Sequence, residues 1–144
     1  MFKKMNILLK SATIVDLGNK HHLKKRDVLI ESGVIKKIGA KITKSGKEKE
    51  IFLPNLHISK GWFDPSVSFG EPGFEERETI ENGLNTAALS GFTEVAVNAN
   101  TFPVTDSKAT IQYLKSKASG HAVDLHPYRR THYREQRCGF SRII

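Results

Sequence analysis

Cysteine is almost absent. Cys138 stands alone among 144 residues, so no disulfide can close within the chain and no cysteine-built zinc knuckle is available. Arginine is nearly missing over the first 127 residues, where only Arg26 and Arg77 occur. No run of about 18 apolar residues exists, the length a helix needs to span a bilayer. The opening "MFKKMNILLKSATIVD" has a short apolar stretch and no small-residue cleavage site, so it does not read as a secretory leader. Met5 would serve equally well as the initiator. A reducing cytoplasm, no membrane, and a length sufficient for one buried core are the expectations that remain.

The formal charge of +8 points at first to a nucleic-acid partner. Its distribution argues otherwise. The last seventeen residues hold Arg129, Arg130, Arg134, Arg137 and Arg142 against the single Glu135, which is +4, half the total. The rest of the excess is lysine, much of it in loop-like stretches such as "KSGKEKE". No nucleic-acid partner is expected.

Two rhythms divide the chain. Residues 6–15 and 27–42 read as short strands, the second a hairpin turning at "ESG", and a further strand is expected near Ile51–Leu53. From "HISKGWFDPSVSF" onward, strands alternate with helices. "RETIENGLNTAALSG" spaces Ile80, Leu84, Ala87 and Ala88 as one helical face and stops at Gly91. "FTEVAVNAN" reads as a strand. "DSKATIQYLKSKASG" reads as a helix capped by Asp106 or Ser107 and stopped at Gly120, and "HAVDLHP" as a third strand. Strand–helix–strand–helix–strand means a parallel sheet with crossover helices. Periodicity fits either a small doubly wound sheet or the first units of an eightfold barrel, which typically runs to about 250 residues.

Specific words decide between them. "GWFDPSVSFGEPGFEERETIENG", "SGFTEVAV" and "NTFPVTDS", in that order, resemble the opening of a dihydroorotase of the amidohydrolase superfamily over residues 5–127. The resemblance implies an α/β fold: a small N-terminal β-module over 1–55, then the first three βα units of a truncated (β/α)8 barrel over 56–127. It also implies zinc-dependent hydrolysis of a small cyclic amide, dihydroorotate to carbamoyl aspartate, in pyrimidine biosynthesis. The zinc ions of that family polarise the amide carbonyl and lower the pKa of a bound water.

At the metal motif this chain departs from the family. Two histidines are expected two residues apart on one strand, both imidazoles on one face. Ser66 and Ser68 stand there instead, and a hydroxyl is a poor zinc ligand. Gly70 replaces the arginine that would grip a substrate carboxylate and offers no bidentate fork. Asp64, Glu71, Pro72 and Gly73 are retained, and Asn100 sits at a substrate-binding asparagine position. Each also has a structural reading: Asp64 bonding nearby backbone, Pro72-Gly73 as turn chemistry, Asn100 turning the chain. No other histidines offer ligand spacing. His21 and His22 fall in a lysine-rich loop, and His57 and Asp64 are far apart on one strand. His121 and His126 are expected on opposite faces of the third strand, and His132 is in the tail. No zinc bound by this chain and no catalytic residue within it are the expectations.

The tail, 128–144, does not continue a barrel. Read one base further on with permitted synonymous codons, the residues from Pro127 become P-I-G-A-L-T-I-G-S-K-G-V-D-L-A-E-L, close to what the resemblance leads one to expect there. The arginines and the lone cysteine then arise from a frameshift near codon 128. The expected product is an inactive fragment, poorly soluble or partly disordered because its barrel edge is unpaired. The alternative is a non-catalytic homologue that binds another pyrimidine-pathway enzyme.

Overall fold

A computed structural model describes residues 5–131 and 139–143. The chain divides into two compact units, Met1–Lys60 and Gly61–Ile144.

The first unit is one sheet built around β1 (Ile7–Val15). On one side lie β2 (Lys25–Glu31) and β3 (Val34–Gly39), in the order β3-β2-β1, all antiparallel. Ser32 and Gly33 turn that hairpin with φ of 53° and 84°, the left-handed pair that a two-residue turn matching strand twist requires. On its other side β1 takes two parallel partners in succession. β4 (Lys49–Phe52) pairs with Ile7–Lys10, and β5 (His57–Ser59) pairs with Thr13–Val15. Between those stretches β1 is irregular at Ser11, whose φ is 53°. A buried carboxylate holds the irregularity. Asp27 accepts the backbone N–H of Ser11 at 2.9 Å and of Ile42 at 2.8 Å, and is ion-paired with Lys10. Burial alone pushes this carboxyl up, but Lys10 and the two N–H donors outweigh it and leave Asp27 below the usual carboxylate range.

The second unit alternates strand and helix: β6 (Trp62–Val67), α1 (Ile80–Leu89), β7 (Phe92–Val97), α2 (Lys108–Lys117) and β8 (Asp124–Thr131). β6, β7 and β8 are parallel neighbours, and β9 (Gly139–Ile143) adds antiparallel to β8. Thr79 caps α1 by accepting the N–H of Asn82, and Ser107 caps α2 by accepting that of Thr110. Gly91, at φ 89°, turns the chain out of α1, and its carbonyl accepts the N–H of Trp62 at 3.0 Å. The helical face foreseen at Ile80 and Leu84 packs with Leu114 of α2 on Val95, Val97 and Leu125 of the sheet. Fully burying each such side chain is worth about 1.5–3 kcal/mol. The helices cover one face of three parallel strands, which is how a barrel begins.

Three boundaries differ from the expectation. "HISKGWFDPSVSF" is two strands in different units rather than one, because His57–Ser59 finds its ladder partner in β1 while Trp62–Val67 finds its in β7. The division accordingly falls after Lys60 rather than at 55. The third strand begins at Asp124, leaving His121 in the preceding loop, and continues past Pro127 to Thr131. Tyr and Thr suit a pleated strand whatever frame supplied them. The end of the tail pairs antiparallel with β8 as β9.

Replacing Asp27 by alanine would leave the N–H groups of Ser11 and Ile42 without an acceptor. We expect a stability loss of at least about 1–3 kcal/mol, measured by denaturant titration.

Candidate functional site

In a parallel sheet all strands end on the same side, and the loops leaving those ends are where such folds place ligands. Here the relevant ends are those of β6 and β7. The pairing Val67↔Val97 brings "SVS" at the end of the first strand beside "NAN" at the end of the second. Each pair repeats at a two-residue step, so each projects two side chains from one edge of its strand.

Those four side chains meet. Asn98 donates both hydrogens of its amide nitrogen, one to Ser66 Oγ at 3.2 Å and one to Ser68 Oγ at 3.1 Å. Asn100 donates from Nδ2 to the same Ser68 Oγ at 3.0 Å. Asn98 also joins the strands through the backbone, its N–H donating to the carbonyl of Val67 at 2.8 Å. Asp64 stands beside the cluster. Its Oδ1 accepts the N–H of Ser66 at 2.9 Å, the local backbone role read for it from sequence. Behind it, Tyr128 of β8 donates its hydroxyl to the carbonyl of Pro65 at 2.9 Å.

The loop after β6 is closed by backbone contacts. Gly70 N–H and Glu71 N–H both donate to the carbonyl of Glu78, and Gly70's own carbonyl accepts from Phe74 N–H at 3.0 Å. A Cβ at position 70 would lie 1.9 Å from the Phe74 carbonyl oxygen. Position 70 therefore has no room for any side chain in this loop. Gly73 is equally confined, with φ 97° and the Phe102 carbonyl oxygen 2.0 Å from where a Cβ would sit. Pro72 accepts the N–H of Phe102 at its carbonyl, tying this loop to the one after β7.

Glu71 is buried and engaged on three sides. It accepts the N–H of Ile80 at 3.0 Å at the start of α1, the Tyr113 hydroxyl at 2.6 Å and Lys117 Nζ at 3.1 Å from α2. Burial pushes the Glu71 carboxyl up, yet the Tyr113, Ile80 and Lys117 bonds together hold it below its ordinary value. The Glu71 carboxylate in turn raises Tyr113 and Lys117. This residue ties the loop to both helices; it does not face the strand ends.

Among the described residues the histidines do not converge. His21 and His22 were read as solvated, but both are half-buried and organise their loop. His22 Nδ1 accepts the N–H of Asp16 at 3.1 Å, and Arg26 Nε approaches His21 Nδ1 at 3.4 Å. His121 Nε2 pairs with Asn85 Oδ1 and His126 Nε2 with Glu94 Oε2, each at 3.0 Å. His132 lies outside the described residues. Among the described residues no three His, Cys, Asp or Glu side chains group as a metal site. Two neutral hydroxyls whose lone pairs already accept amide hydrogens do not fit a zinc ion.

Asn98 is the residue that sequence reasoning missed, although its signal was present. An N-x-N at the end of one strand, facing an S-x-S at the end of its parallel neighbour, places four polar side chains on one edge.

A sequence profile of the dihydro-orotase-like family matches residues 57–137, more than half of the chain. A dihydroorotase of Pelotomaculum thermopropionicum is 39% identical over 124 residues, which is 85% of this chain and 28% of that protein. A dihydroorotase of Syntrophotalea carbinolica is 41% identical over 121 residues, 82% of this chain and again 28% of that protein. Among solved structures, the L-hydantoinase (dihydropyrimidinase) of Arthrobacter aurescens superposes with a TM-score of 0.72 at 20% identity, over 87% of this chain and 28% of that one. A dihydroorotase crystal structure superposes with a TM-score of 0.58 at 16% identity, over 88% of this chain and 31% of that one. The chain thus spans between a quarter and a third of the length of each of these relatives.

Two tests follow from the loop. A carboxyl held below its ordinary value stabilises the fold above the unfolded-state pKa, and that contribution is lost as pH falls through the folded value. For Glu71 the unfolded reference is 4.5, so melting temperature should fall as the pH drops below that point. In Glu71→Gln the fall should be shallower, seen by thermal melts across an acid series. Gly70→Arg should disrupt the loop rather than restore an anion grip, read as a loss of melting temperature with no gain in carboxylate binding.

Proposed function

The chain belongs to the dihydroorotase-like amidohydrolases, and on that premise we propose that it is an inactive amino-terminal part of a protein of that lineage. The lineage reaction is the hydrolysis of a cyclic amide, dihydroorotate to carbamoyl aspartate, in cytoplasmic pyrimidine biosynthesis. In the family this is metal-dependent chemistry, with zinc supplying an activated water. One observation carries the reading of inactivity. At 66, 68 and 70, where the resemblance expects two imidazoles and a guanidinium, stand two hydroxyls occupied by amide donors and a glycine enclosed by its own loop. Asn100 retains its place but spends its amide on Ser68. No step of hydrolysis is assigned to the described residues of this chain.

A second reading has its own support. Three positions of one motif, changed together, suit a homologue that has given up catalysis and acts as a binding partner of another pyrimidine-pathway enzyme. No helix among the described residues is long and apolar enough to cross a membrane.

The tail belongs to the same proposal. Residues 128–144 are taken as out of frame, since the shifted codons spell a plausible continuation of the barrel and the observed ones bring an abrupt run of arginine.

Purified chain should contain substoichiometric zinc and hydrolyse dihydroorotate no faster than buffer, followed by carbamoyl aspartate release. Stoichiometric zinc with turnover would overturn the reading. Resequencing the gene from the codons of α2 onward tests the tail. An extra base near the Tyr128 codon, with barrel-like sequence following in the shifted frame, is expected. A downstream region with no such sequence in any frame would contradict it.

A further inference from the structure

The cluster at the ends of β6 and β7 has an inverted polarity. A serine oxygen has two lone pairs and one hydrogen. At Ser68 both lone pairs are engaged, one by Asn98 Nδ2 at 3.1 Å and one by Asn100 Nδ2 at 3.0 Å. What remains to Ser68 is its O–H, on a side chain that is exposed at the mouth of the strand ends. A metal ligand must offer a lone pair. Ser68 can offer one only by breaking a bond to an asparagine, so the position can donate to a ligand but not coordinate a cation. Ser66 follows in part, accepting the second Asn98 hydrogen at 3.2 Å.

We propose that Ser68, positioned and polarised by Asn98 and Asn100, is a hydrogen-bond donor to the carbonyl oxygen of an uncharged ligand, at the place where the family's site holds a cation. The proposal rests on the reading that this face does not carry the family's metal, and goes further by naming what it takes instead. Two features favour an oxygen acceptor. Accepting two amide hydrogens strengthens the donor power of the hydroxyl, because hydrogen bonds in a chain polarise one another. The Asn98 amide nitrogen does not compete for that acceptor, since it spends both its hydrogens within the cluster, and Asn100 commits one of its own to Ser68. Two features favour an uncharged ligand. Asp64 lies on the same strand end with its carboxylate at the Ser66 N–H, and repels an anion. The guanidinium that would balance a ligand carboxylate has no counterpart, Gly70 being enclosed by backbone. Asn98 is a positioning residue here: it touches the serines and acts through them.

The test uses the full chain, labelled with nitrogen-15, and reads the side-chain amide signals of Asn98 and Asn100. The probes are 5,6-dihydrouracil as an uncharged carbonyl ligand, dihydroorotate as its carboxylated counterpart, and cobalt(II) as a paramagnetic cation. Dihydrouracil should shift both amide signals saturably, and dihydroorotate should bind no more tightly. Cobalt should leave them in place. Ser68→Ala should lose at least about tenfold in affinity for dihydrouracil, the equivalent of one hydrogen bond of roughly 1.4 kcal/mol, while Ser68→Thr, which keeps the hydroxyl, should retain it. Asn98→Asp, which cannot donate, should lose binding and admit cobalt. Undiminished binding by Ser68→Ala, an absence of any dihydrouracil shift, or saturable cobalt shifts in the unaltered chain would each overturn the proposal. Zinc content and hydrolysis report separately on the reading of inactivity, so the two can fail independently.

Discussion

The parallel pairing of β6 with β7 is the constraint on which the candidate site depends. Asp64 aligns with Val95 and Val67 with Val97, so the two strands end together. Their alternate residues serve different masters. Val95 and Val97 are buried with Ile80, Leu84 and Leu114 in the helix-covered core. Around the last ladder pair that register brings Asn98 within reach of Ser66 and Ser68, and Asn100 within reach of Ser68, so the four side chains meet in one hydrogen-bonded cluster. The core fixes the register, and the register assembles the cluster.

A second fastening lies on the helix side of the same loop. Glu71 joins the first N–H of α1 to Tyr113 and Lys117 of α2. Its position immediately after Gly70 gives the retained motif word a structural task. The glutamate, proline and second glycine hold a loop between strand and helix, a task independent of any metal. The residues that have changed, at 66, 68 and 70, are those the resemblance assigns to the ion and the carboxylate.

Much of this was legible in the sequence. Ile80, Leu84 and Gly91 marked α1 with its face and its end, and the alternation of strand and helix marked the parallel sheet. The motif words named the family, which the profile match over residues 57–137 bears out. What was not legible depended on partners distant along the chain. Nothing local divides "HISKGWFDPSVSF" into two strands; only the ladder partners in β1 and β7 do so. His22 looked solvated because its partner, the N–H of Asp16, is recognisable only once the loop has folded. Asn98 was passed over because the N-x-N spacing just past the end of β7 takes its meaning only from the neighbouring serines thirty-odd residues earlier.

The central claim is that the strand-end face is a hydrogen-bonded cluster rather than a metal site. Diffraction from crystals grown with zinc, recorded at the zinc absorption edge, tests it most directly. The account predicts Ser68 Oγ within hydrogen-bonding distance of both asparagine nitrogens, with no anomalous peak beside Ser66 or Ser68. An anomalous peak coordinated by those oxygens, with the Asn98 and Asn100 amides swung away, would contradict it.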